Sequence, residues 1–84
     1  MSGSDEIAGR VRTMLAQVLD VPASRIGPGF TADSTPAWTS LNHLMLMSQL
    51  ESEFGVVFSN QQIQELTSFD RIVTAIAGHG AGGG

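Results

Sequence analysis

Residues 38–55 read WTSLNHLMLMSQLESEFG. Thr39 is a residue type that caps helix N-termini and Gly55 one that stops helices, so the stretch predicts a helix from about Ser40 to Phe54. At about 100° per residue, Leu46, Met47, Leu50 and Phe54 gather on one side, enough to face a core. Leu41, Leu44 and Met45, with Ser48 continuing the row, project to roughly the opposite side. A surface helix needs only one apolar stripe. Either the loop before the helix folds over the second one, or that stripe is a docking strip for a partner, rimmed by Asn42, Gln49 and Glu51.

Upstream of this stretch, Ser4 followed by Asp5 and Glu6 is an N-terminal helix signal. Ile7, Val11, Met14, Leu15 and Val18 then fall on one face, which predicts a first helix over about Asp5 to Leu19. From Asp20 to Thr39, Pro22, Pro28 and Pro36 interrupt any helix and Gly27 and Gly29 loosen the backbone. A loop of this length inside a small domain is usually functional or tied down. Val21, Ile26, Phe30 and Trp38 are spaced along it as anchors, so it should be draped over the core.

Downstream, Ser59 and Gln62 form a capping-box pair opening a short third helix through about Leu66. Thr67 or Ser68 caps a fourth, whose buried stripe is Phe69, Ile72, Val73 and Ile76. Gly78 should end it, leaving residues 78–84 as a flexible, glycine-rich tail. The expected architecture is all-α, a small four-helix bundle occupying residues 4–77 with three longer helices, one short one and a long loop between the first two.

Composition narrows the function classes. Eighty-four residues with 42% apolar content support one modest core. Eight acidic residues against four scattered arginines give a net charge of -4, a poor match for a phosphate backbone, so no nucleic-acid partner is expected. There is no cysteine, and hence no disulfide or thiolate metal site. No signal peptide or membrane-length apolar run is evident. A cytoplasmic protein without membrane association is expected, and the start methionine and short termini favour a discrete unit.

Ser40 stands at the N-terminal edge of the second helix beside the spare apolar strip. A phosphate there would be stabilised by free backbone N–H groups and the positive end of the helix dipole. Ser40 and His43 are three apart, but a nucleophile–base pair of this kind lacks an orienting third group and an oxyanion hole. His43 is expected to be partly buried with a hydrogen-bonding partner, the alternative being that it lines the mouth of a pocket; His79 is expected to be solvated, and Trp38 to anchor the loop. Met14 and Met47 fall on core faces, leaving Met45 spare. Two distant histidines make no metal site.

Through Trp38-Thr39-Ser40-Leu41-Asn42-His43-Leu44 and Leu50-Glu51-Ser52-Glu53-Phe54-Gly55, the sequence resembles the acyl carrier protein family. That family's motif is Asp-Ser-Leu followed by a helix ending in a Glu-rich, Phe-containing segment, and the resemblance in element order runs from about Ile7 to Ile76. It implies that Ser40 is the serine modified by a phosphopantetheinyl transferase. The cofactor is then a covalent 4'-phosphopantetheine derived from coenzyme A, which supplies the thiol the chain lacks and holds acyl or aminoacyl groups as thioesters.

The resemblance further implies a non-catalytic, monomeric carrier that presents cargo to a loading ligase and to downstream acyl-transfer enzymes. Leu41, Leu44 and Ser48 match positions with which the family docks its partners. With Thr39, Met45 and Glu51 they make up the expected docking set. Two departures stand out: Thr39 replaces the family's aspartate, and Asn42, His43 and Met45 stand where fatty-acid carriers show carboxylates. The first bears on how the transferase engages the carrier, and the second points to a specialised secondary-metabolite, aminoacyl or modified-lipid pathway. The alternative from another class is an unmodified helical adaptor that binds proteins through the same strip and loses nothing with Ser40→Ala.

Overall fold

A computed structural model describes the backbone of residues 3–83 and the side chains of residues 5–79. Among the described residues four α-helices follow one another: α1 (Gly3–Leu19), α2 (Ser40–Phe54), α3 (Asn60–Glu65) and α4 (Phe69–Gly83). The chain is an all-helical small bundle, in which α1 packs against both α2 and α4. Among the described residues there is no strand, and a single antiparallel bridge pairs Thr31 with Ser68.

Local chemistry explains most helix ends. The Thr39 hydroxyl accepts from the Asn42 N–H at 3.1 Å, capping α2. Gly55 closes the helix in the left-handed conformation, φ 66° and ψ 37°, which costs glycine nothing sterically. In α3 the Ser59 hydroxyl accepts from Gln62 N while the Gln62 carboxamide accepts from Ser59 N, the reciprocal pair expected. Ser68, not Thr67, caps α4, accepting from Arg71 N at 3.1 Å. Asp20 follows α1 with φ 56°, a conformation that Asp tolerates better than most residues.

Two ends differ from the sequence expectation. Helix α1 begins at Gly3, so Ser4 lies inside it rather than at its cap. Helix α4 does not stop at Gly78 but continues through Gly83, so the proposed tail is helical up to that point, and Gly84 lies outside the described residues. A glycine costs a helix about 1 kcal/mol and does not forbid it. The extension has a tertiary contact, since His79 meets Phe58 edge-on with ring centroids 5.8 Å apart. His79 is therefore half-buried, not solvated.

The core joins Val11, Leu15 and Leu19 of α1 to Leu46, Met47 and Leu50 of α2 and to Phe69, Ile72 and Ile76 of α4, with Leu66 beside them. Leu19 was not part of the predicted stripe but follows Leu15 by one turn. Val73 and Phe54 pack at the edge of the core. The loop from Asp20 to Thr39 is draped as expected: Ile26, Phe30 and Trp38 are buried and Val21 packs at the margin. Two single-turn 3-10 helices, Ala23–Arg25 and Ala32–Ser34, shape it. Arg12 holds the first by donating from Nε to the Ile26 carbonyl at 2.8 Å, with its guanidinium 5.3 Å from the Phe69 ring centre. The second is tied to the α3–α4 connection by Ala32 N to Thr67 O and Phe69 N to Phe30 O, both 2.9 Å.

Candidate functional site

Because Thr39 ends the loop in an extended conformation and caps α2, Ser40 becomes the first helical residue, and it is exposed. Capping uses up the Asn42 N–H, and the His43 N–H bonds the Thr39 carbonyl at 2.8 Å. Among the described residues, the Ser40 and Leu41 N–H groups are left as the first-turn donors that no protein group takes up. The Asn42 side chain donates to the Ala37 carbonyl at 2.8 Å, fixing the angle at which the loop enters the helix.

The second apolar face of α2 is uncovered. Leu41, Leu44 and Met45 are 68%, 59% and 45% exposed, and Ser48 is exposed beside them. The loop packs elsewhere, so the reading in which it folds over this strip does not hold. Met47 is buried and Met14 half-buried, as expected of core-facing residues. Glu51, of the expected docking set, also serves the fold: its carboxylate accepts from the Phe58 N–H at 2.8 Å and closes the turn after α2. Glu53 is paired with Arg10, whose guanidinium also sits 4.4 Å from the centre of the Phe54 ring. Both carboxylates of α2 are thus engaged within the molecule, and the exposed strip is electrically neutral.

Beside Ser40 an open groove of about 360 Å³ runs between α2, α3 and the loop, lined chiefly by Trp38, Thr39, His43, Leu44, Ile63 and Thr67. Among the described residues, no Asp, Glu, Lys or Arg lines it. At its inner side the Trp38 indole donates from Nε1 to His43 Nδ1 at 2.9 Å, and His43 Nε2 lies 2.5 Å from the Ile63 carbonyl. Since Nδ1 accepts, the ring proton sits on Nε2 and is donated to Ile63 O. Trp38 also stacks on Phe30, with ring centroids 6.1 Å apart, so three aromatic rings and a backbone carbonyl link the loop, α2 and α3. With both nitrogens engaged, His43 has no lone pair directed at the Ser40 hydroxyl.

The sequence anticipated the Thr39 cap, the position of Ser40 at the start of α2 and the second apolar face, but not the Arg10–Glu53 pair, the Arg12 clasp or the linkage through His43. The partners in these contacts are 43, 14 and 20 residues apart, beyond any local pattern. Among the described residues no three metal-ligating side chains come together and no helix is long and apolar enough to cross a membrane. Compared with models of known protein families the chain matches none. Nor does any curated protein match it.

Proposed function

We propose that this chain is a monomeric carrier protein of the cytoplasm whose Ser40 bears a 4'-phosphopantetheine arm. The observation that carries the reading is the position of Ser40: exposed at the first residue of α2, between a neutral apolar strip and an apolar groove. The arm, when attached, supplies a thiol that holds acyl or aminoacyl groups as thioesters. It is delivered when a phosphopantetheinyl transferase directs the Ser40 oxygen onto the phosphorus of coenzyme A that bears the pantetheine. A phosphodiester forms, 3',5'-ADP leaves and the hydroxyl proton passes to the transferase.

The residues present suit that group. The Ser40 and Leu41 N–H groups lie where an anion on Ser40 is stabilised by the helix terminus. Thr39 keeps α2 capped without bringing charge. Leu41, Leu44, Met45 and Ser48 form the surface on which the transferase, a loading ligase and downstream acyl-transfer enzymes dock in turn. His43 works as a structural bridge, which favours a carrier over a hydrolase. The neutral strip suits the partners of a specialised pathway better than basic enzymes steered by an acidic helix.

The test is intact mass after incubation with coenzyme A, magnesium and a promiscuous phosphopantetheinyl transferase. A gain of one phosphopantetheine that disappears in Ser40→Ala supports the carrier. No gain, even when Thr39→Asp restores the family motif, supports instead an unmodified adaptor that uses the exposed strip of α2.

A further inference from the structure

His43 lines the groove beside Ser40 on the side of α2 that faces the core. His43 stands at the outer end of the row that continues through Leu46, Met47 and Leu50 into the core. A group carried on Ser40 that entered the core between α2 and α3 would meet this imidazole and its contact with Ile63. His43 resists that on both sides, accepting from Trp38 Nε1 at 2.9 Å and meeting the Ile63 carbonyl at 2.5 Å. Displacing the ring would leave an indole N–H, a carbonyl and two ring nitrogens without partners in a partly buried place, an unfavourable outcome for polar groups. Beyond the ring, Leu46 and Leu50 are fully buried and already packed.

The groove outside His43 needs no such opening. Its volume of about 360 Å³ lies at the small end of the range of ligand sites, roughly 300–1,000 Å³. Leu44, Ile63 and Trp38 give it apolar walls, Thr39, Gln64 and Thr67 give it uncharged polar groups, and no carboxylate faces it. An ammonium group in this groove would give up part of its hydration without gaining a counter-charge.

Resting on the carrier reading, we infer that His43 bars carried cargo from the core and confines it to the outer groove, which favours uncharged acyl groups over aminoacyl groups. His43 is a specificity-determining residue here and takes no part in bond making.

The experiment loads Ser40 of the isotopically labelled full chain from butyryl-, octanoyl- or glycyl-coenzyme A with the transferase, confirms each adduct by intact mass and compares NMR spectra with those of the unacylated arm. The butyryl group should shift the Trp38 indole N–H and the signals of Leu44, Ile63 and Thr67, and the glycyl group should leave them in place. Neither butyryl nor octanoyl should move the methyl signals of Leu46 and Leu50. In His43→Ala, octanoyl should move those methyl signals. Shifts of Leu46 and Leu50 in the octanoylated native protein would overturn the inference, as would glycyl shifts equal to those of butyryl. Should His43→Ala fail to fold, the native adducts decide alone. Failure to gain mass is a separate result, which overturns the carrier reading and this inference with it.

Discussion

The indole of Trp38 hydrogen-bonds the imidazole of His43 at 2.9 Å, joining the last buried residue of the long loop to the first turn of α2. Trp38→Phe keeps a ring to stack on Phe30 but removes the N–H, leaving His43 Nδ1 unmatched in a part-buried site. The expected cost is about 1–3 kcal/mol. Urea unfolding followed by circular dichroism measures it, and an unchanged midpoint would show that this bond contributes nothing to the fold.

Glu51 separates a structural carboxylate from a docking one. Glu51→Ala strands the Phe58 N–H and should cost about 1–3 kcal/mol, whereas Glu51→Gln retains an acceptor oxygen and should cost much less. If the residue served partners alone, both variants would unfold like the native chain and both would weaken docking. Thermal unfolding of the two variants side by side distinguishes these cases.

The two faces of α2 should respond in opposite ways to the same truncation. Leu50→Ala, in the fully buried core, is expected to cost about 2–5 kcal/mol. Leu44→Ala should change stability by no more than about 0.5 kcal/mol while raising the KM of the transferase for the chain. An unaltered KM would count against the strip as a docking surface.

Because Leu41, Leu44, Met45 and Ser48 carry no charge and Glu53 is paired with Arg10, docking through this strip should depend little on salt. The transferase KM measured from low to high ionic strength is expected to stay flat. A steep rise would locate recognition on the charges elsewhere in the molecule.

Gly78 lies inside α4, and a Cβ added there meets nothing within 4 Å. Gly78→Ala should therefore stabilise the protein by about 0.5–1 kcal/mol, since alanine loses less backbone entropy in a helix. A lower melting temperature would place Gly78 outside a helix, where the sequence alone had put it.

What the sequence determined by itself lies within one turn of chain. Thr39 over Asn42, the reciprocal Ser59 and Gln62 and the left-handed Gly55 join neighbours three or four residues apart, and such bonds follow from residue type. The core face of α2 was legible for the same reason, because helical periodicity sorts Leu46, Met47 and Leu50 from Leu41, Leu44 and Met45 without reference to anything else. Whether the second face stayed bare was not, since that depends on where the loop packs, and Phe30, Trp38 and the Thr31–Ser68 bridge draw it toward α3 and α4 instead. Only the tertiary structure turned Glu51 toward Phe58, set His43 between Trp38 and Ile63, and carried α4 past Gly78. Each of these outcomes rests on a partner brought near by packing, and a weak local preference, such as the helix cost of glycine, yields when such a partner is in reach.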